Sequence, residues 1–159
     1  MITGIMLWNE PNILLCLRYG IGDLVMELHE LGERTRDLPQ MEIVQNLHLR
    51  QVAALLSQCR LYLGNDSGLM HLAAAVRTPV VILFGPTVPH LYLPRSVRSQ
   101  AVTSGVACPY RPRRAFGHPR CVLAGSCLTG TPCIQTIDPA PVCTTVKEEY
   151  AKCLAETRS

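Results

Sequence analysis

No run of basic residues interleaved with aromatics occurs in the sequence. Its densest basic cluster is Arg111, Arg113 and Arg114, and the formal charge is only +3. A nucleic-acid reader carries a basic stripe or patch, so that class of partner is excluded. Also lacking is an apolar run near the ~20 residues that a membrane-spanning helix needs; runs such as Pro79 to Phe84 fall far short. The N-terminus shows no charged leader followed by an apolar stretch and a small-residue cleavage site, so no secretory signal is read. A cytoplasmic location is expected, where thiols stay reduced, and the eight cysteines then argue little for a disulfide framework. No C-x-x-C pair is present, which removes the usual zinc knuckle. No internal repeat is visible.

What is present is a chain of 159 residues, one ordinary domain in length. Hydrophobic residues make up 48% and charged residues 17%, a globular balance. Through Phe84 the pattern alternates. Residues 12–18, 41–44, 60–64 and 79–85 are short apolar strands. Between them, Leu24, Leu28 and Leu31, then Leu49, Val52, Ala53 and Leu56, then Leu69, Leu72, Ala73 and Val76, recur at helical spacing. Apolar strands separated by amphipathic helices predict a doubly wound, Rossmann-like parallel sheet, whose ligands bind at the carboxyl ends of the strands. Residues 105–141 are rich in Cys, Pro, Gly and Arg and predict irregular structure. Asp138 as N-cap and Pro139 at the first helical position open a last helix, with Val142, Val146, Tyr150 and Cys153 or Leu154 on its inner face.

The stretch "GNDSGLMHLAAA" (64–75) carries the chemistry. Gly64 ends a strand in a tight turn, and Asp66 or Asn65 is placed to cap the helix that follows. Ser67 and Gly68 fall in its first turn, where backbone N–H groups lack intrahelical partners and, with the positive end of the helix dipole, attract an anion such as phosphate. Gly68 lets a ligand approach the backbone. Beside a diphosphate the Asp66 carboxylate is best used as an acceptor for sugar hydroxyls. His71, one turn on, lies off the apolar stripe. A plainer reading stands beside this one: Asp and Ser only cap, and His71 is an ordinary surface histidine. The stretch is no Walker loop, since no Lys follows its second Gly, and "GIGD" (20–23) lacks the third Gly of the dinucleotide fingerprint.

Residues 60–87, "RLYLGNDSGLMHLAAAVRTPVVILFGPT", resemble the donor-binding half of the ADP-heptose:lipopolysaccharide heptosyltransferases, glycosyltransferase family nine. Their pattern is a strand, G-N-D-S/T-G-x-x-H-L-A-A-A, T-P, an apolar strand and F-G-P-T. The similarity extends back through "LHLRQVAALLSQC" (47–59) and forward to "CIQTIDPAPV" (133–142). The resemblance implies the C-terminal half of a GT-B-type glycosyltransferase. A Rossmann-like nucleotide-sugar-binding domain would span 12–104, with the Cys-rich segment and last helix, 105–159, packing on it. Asp66, with Asn65, would accept bonds from the donor sugar, and the backbone of Ser67 and Gly68 would hold the diphosphate beside His71. Leu47 would line the base pocket, and Gly85, Pro86 and Thr87 would form the next loop of the same edge. The implied donor is a nucleotide-diphospho-sugar such as ADP-heptose, and the implied acceptor a lipopolysaccharide core, with peripheral contact at the inner membrane. No cofactor and no metal is implied.

The resemblance covers only the second half of family members. The acceptor-binding domain with the expected aspartate general base is absent, as is the opening strand whose lysine helps the diphosphate; residues 1–11 contain no Lys. Donor recognition with weak or no transfer by the isolated chain is therefore expected, and a truncated, non-catalytic module requiring a partner domain is the alternative. Asp66 as the general base is the less favoured assignment. A zinc site of His118, Cys121, Cys127 and Cys133 is a minor reading against thiols in an irregular packed segment. Cys16 and Cys59, inside apolar elements, read as small buried hydrophobes.

Overall fold

The computed structural model describes residues 5–8, 13–16, 41–44, 47–111 and 119–156. The sequence-predicted helix over Asp23–Leu31 and the turn-rich residues 32–40 lie outside the described residues, as do Arg113, Arg114 and His118. Six strands form one sheet in the order β3-β1-β2-β4-β5-β6: β1 (Ile5–Trp8), β2 (Ile13–Cys16), β3 (Met41–Val44), β4 (Leu61–Asn65), β5 (Val80–Phe84) and β6 (Ser99–Thr103). β2, β4, β5 and β6 pair in parallel. β1 is antiparallel to both of its neighbours, so it alone runs against the other strands. The expected parallel sheet is thus present with one reversed strand. That strand falls in the 1–11 segment to which no element had been assigned.

Alternation along β4 and β5 sends side chains to two faces. Tyr62, Val80, Ile82 and Phe84 pack with Val52 and Leu56 of α1 (Leu49–Gln58) and with Leu69, Met70 and Ala73 of α2 (Gly68–Ala75). Leu61, Val81, Leu83 and Val102 pack on the other face with Ile137, against which Val142, Val146 and Tyr150 of the last helix lie. β5 is buried at every residue, as a central strand covered on both faces must be. Each fully buried Phe, Leu or Ile side chain contributes roughly 1.5–3 kcal/mol relative to exposure, so this double layer holds the carboxyl edge in place.

The described helix faces follow the predicted spacing with one exception. Leu49, the first residue of α1, is 61% exposed. At the other end of the chain Cys153 is buried and Leu154 exposed, which settles the choice left open for the last helix. The Asp138 carboxylate accepts from the Ala140 amide at 2.9 Å, the expected cap.

Between Phe84 and that helix lie a short helix α3 (Pro89–Tyr92), the edge strand β6, a helix α4 (Arg120–Ala124) and a 3-10 turn (Cys133–Thr136). The last helix, α5, spans Pro139–Glu156. No described helix is long and apolar enough to cross a membrane.

α2 ends in a Schellman motif. The Thr78 amide reaches the Ala73 carbonyl at 3.0 Å and the Arg77 amide the Ala74 carbonyl at 3.1 Å. Arg77 takes φ 66° to make this turn, and a non-glycine residue there costs roughly 1–2 kcal/mol. Its side chain is exposed. Glycine relieves the clash but orders a freer chain, at about 0.5–1 kcal/mol. Arg77→Gly is expected to gain about 0.5–1 kcal/mol and to raise the melting temperature by about 1–4 °C. Thermal unfolding followed by circular dichroism checks it; a fall would mean the Arg77 side chain carries a contact of its own. Thr78 then closes the connection, its hydroxyl donating to the Leu56 carbonyl at the end of α1 at 2.6 Å.

Candidate functional site at the carboxyl edge of the sheet

Three strand ends meet at one edge. Asn65 closes β4 opposite Leu83, and Phe84 closes β5 opposite Thr103. The Asp66 amide continues the ladder by donating to the Leu83 carbonyl at 3.3 Å, which fixes where the chain leaves the sheet. Two residues later α2 begins. Its N-cap is Ser67, so neither Asp66 nor Asn65 takes the capping position assigned to them from the sequence. Ser67 has extended backbone and makes no side-chain cap bond. The Met70 amide closes onto the Ser67 carbonyl at 3.1 Å. The amides of Gly68 and Leu69 precede the first intrahelical bond, as at any helix start.

Gly68 is exposed, and a Cβ built on it meets no protein atom within 4 Å. Among the described residues no side chain lies over Gly68 at the helix start. Ser67 and Asp66 are half-buried on the approach, and His71 is exposed one turn further along. The structure thus brings Asn65, Asp66, Ser67, Gly68 and His71 to one strand-to-helix junction.

The neighbouring loop is arranged differently. Gly85 is buried, and a Cβ there would lie 3.2 Å from Ile134 Cβ and 3.8 Å from Cys133 Sγ. Its glycine identity is accounted for by close packing of the 3-10 turn, a reason that the sequence did not display. The Gly85 carbonyl accepts a bond from Arg111 Nη2 at 3.0 Å. Pro86 and Thr87 follow, half-buried. Leu47 is half-buried and packs against the α1/α2 core. Beside it, His48 caps α1, its amide donating to Gln51 Oε1 at 2.9 Å, a reciprocal cap. A separate cleft of about 450 Å³ opens between α3 and the start of β6, lined by His90, Leu93, Arg95 and Val97 among others. None of the motif residues lines it.

Among the described residues no group of three or more His, Cys, Asp and Glu is arranged to hold a metal ion. Among the described cysteines, Cys59, Cys108, Cys127, Cys133 and Cys143 are free thiols. Cys59 is buried as expected; the Cys16 side chain lies outside the described residues. Burial pushes the Cys59 thiol up to about 11. The Cys127 thiol is instead held below its ordinary range, first by the Thr129 hydroxyl 3.2 Å away and then by backbone groups of Thr129 and Gly130. The thiolate is the reactive form, so Cys127 gains reactivity at a lower pH than an unperturbed thiol, and Cys59 only far above it. In a limited alkylation series from pH 6 to 9, Cys127 is expected to be modified early and Cys59 last. Peptide mapping reads the order, and early loss of Cys59 would contradict it.

The sequence pattern of glycosyltransferase family 9 (heptosyltransferase) matches residues 21–114, more than half of the chain. Lipooligosaccharide heptosyltransferase 2 of Haemophilus influenzae is 40% identical over 79 residues, covering 45% of this chain and 23% of that enzyme. Lipopolysaccharide heptosyltransferase 2 of Escherichia coli is 41% identical over 54 residues, 34% of this chain and 16% of that one. The crystal structure of a family 9 glycosyl transferase from Veillonella parvula superposes with a TM-score of 0.56 at 19% identity, over 80% of this chain and 34% of that chain. That likeness establishes the α/β fold. The chain aligns with less than a quarter of the length of these curated relatives. By the reach of the family pattern, the chain belongs to glycosyltransferase family 9, the heptosyltransferases.

Proposed function

We propose that the chain is the donor-binding half of a heptosyltransferase-like glycosyltransferase of lipopolysaccharide core assembly, taking a nucleotide-diphospho-sugar such as ADP-heptose. One observation carries this reading: α2 starts at the carboxyl edge without a side-chain cap, and no described atom fills the space over Gly68. An anion at such a helix start gains about 0.3–1 kcal/mol from the dipole alone, up to ~2 kcal/mol where partly buried. In this reading the amides of the Ser67–Gly68 turn receive the diphosphate and His71 lies beside it. Asn65 and Asp66 accept from the sugar hydroxyls, Leu47 borders the base, and Pro86 and Thr87 form the adjacent rim. Gly85 acts through the packing beneath that rim.

Sugar transfer to a hydroxyl acceptor also needs a general base, and support for the charge on the departing diphosphate. Among the described residues Asp66 is the carboxylate at the junction, and its place on the donor side suits it to binding more than to deprotonating an acceptor. The short stretch aligned with the curated relatives favours a second reading, a nucleotide-sugar-binding module that acts with a partner domain.

Calorimetric titration of the chain with ADP-heptose tests the proposal. Saturable binding, competed by ADP, is the expected result; no heat and no competition would sink both readings. Transfer of heptose to a Kdo–lipid A acceptor by the chain alone separates them, since the second reading expects none until an acceptor-binding domain is added.

A further inference from the structure

A diphosphate taken at this edge meets the Asp66 carboxylate, a full negative charge, while the α2 terminus offers only about half a positive charge. Repulsion between unit charges a few ångströms apart is on the order of several kcal/mol near a protein surface. A site that accepts such a ligand therefore calls for a full cation held at the same edge. Arg111 is tied there by backbone. Its Nη2 donates to the Gly85 carbonyl at 3.0 Å, just past the end of β5, and its own amide closes a turn onto the Cys108 carbonyl at 3.2 Å. The Asp66 amide leans on the Leu83 carbonyl of the same segment. Those two carbonyls are two residues apart, about 7 Å along an extended chain.

Among the described residues no carboxylate pairs with Arg111, whereas Arg98 meets both Glu149 and Glu156. Arg111 Nε is shut off from solvent and has no acceptor, so the Gly85 carbonyl is the one described partner of a head group with five N–H donors. A half-buried guanidinium held by one described carbonyl is fixed in position, with donors that no described group takes up and an anion could.

We infer that Arg111 is the cation of the donor-diphosphate site, an assignment that rests on the function proposed above. Its terminal N–H groups reach the diphosphate oxygens, and its bond to Gly85 sets their position. The pairing neutralises charge that the helix terminus alone leaves exposed, and it favours a nucleoside diphosphate over the bare nucleoside.

The test titrates the full chain and its Arg111→Gln variant with ADP, adenosine and inorganic pyrophosphate at low and moderate salt. The wild-type chain is expected to bind ADP at least tenfold more tightly than adenosine and to bind pyrophosphate as a competitor of ADP. Arg111→Gln is expected to lose tenfold or more for ADP and its pyrophosphate competition, with adenosine unchanged and a weaker salt dependence. Arg111→Lys, which keeps the charge without the planar fork, is expected to fall between the two, and it carries the test if the Gln variant fails to fold. Unchanged ADP affinity in both variants would overturn the assignment, as would ADP and adenosine weakening together. Wild-type chain that binds ADP no better than adenosine overturns this assignment alone. Wild-type chain that binds none of the probes overturns the proposed function with it.

Discussion

Gly68→Val is expected to leave the fold intact and to abolish donor binding. The two halves of that result have separate causes. On the protein side, a Cβ at residue 68 meets no described atom within 4 Å, and its φ is not in the left-handed region, so valine adds no clash with the described residues and no backbone strain. Replacing a helical glycine by a residue of higher helix propensity gains a few tenths of a kcal/mol, so the melting temperature should hold or rise slightly. On the ligand side, the space that valine fills is the space over the first-turn amides. A diphosphate that must come within hydrogen-bond distance of those N–H groups meets two methyl groups instead. A hundredfold loss of affinity, about 2.7 kcal/mol, is the expected size. Calorimetry with ADP-heptose and thermal unfolding, run on the same preparation, read the two halves. Retained affinity would remove the helix start from the binding site. Parallel loss of affinity and stability would assign Gly68 to the fold. Asp66→Ala is the companion variant; it should weaken sugar-bearing donors while ADP binds as well or more tightly, because the carboxylate that accepts from sugar hydroxyls repels a diphosphate.

The same residues explain how far the sequence could be read. The 64–75 stretch was legible because everything it needs is local. A glycine, a short polar turn and an apolar helix in succession specify a strand-to-helix junction, and the junction lies at the carboxyl edge whatever else the fold does. The faces of α1 and α5 were legible for the same reason: periodicity and a cap are properties of a few adjacent residues. What stayed hidden depends on partners distant in the chain. β1 is four residues long and takes its direction from pairing with β2 and β3, neither of which its own composition reveals. β6, Ser-Gln-Ala-Val-Thr, buries only Val102 and shows no apolar alternation; it is a strand because β5 offers it an edge. Gly85 read as a ligand-facing loop glycine, and Ile134, nearly fifty residues later, is what packs against it. Arg77 occupies a turn position that glycine normally marks, so the end of α2 carried no signal.

Glu149 is the largest omission, and it leads to the strongest stability effect. A glutamate near the end of a helix reads as solvated surface, yet its side chain is only 2% exposed. Its carboxylate forms an ion pair with Arg98 Nε at 2.9 Å and accepts hydrogen bonds from Lys152 Nζ at 2.6 Å and Gln100 Nε2 at 3.1 Å. Arg98 reaches further, pairing with Glu156 and donating to Cys153 Sγ at 3.0 Å, while Cys153 donates to the Arg60 carbonyl at 3.2 Å. One guanidinium thus ties α5 to the amino end of β6. Removing one partner of a buried pair typically costs 3–5 kcal/mol because the other charge stays buried and uncompensated. Here Lys152 remains and Arg98 is 23% exposed, so Arg98→Met is expected to cost less, about 2–3 kcal/mol. For a chain of this size that lowers the melting temperature by about 4–12 °C. Adding Glu149→Leu to Arg98→Met removes the stranded charge as well, and the double variant should recover part of the loss, which a double-mutant cycle reads directly. Donor binding should survive in all three variants. The network lies at the amino end of a five-residue strand, about 15 Å from the carboxyl edge where α2 begins. Equal stability of Arg98→Met and wild type would mean that Lys152 and Gln100 suffice for Glu149. Loss of binding at unchanged stability would mean instead that α5 transmits its position to the site through the Ile134 contact on Gly85.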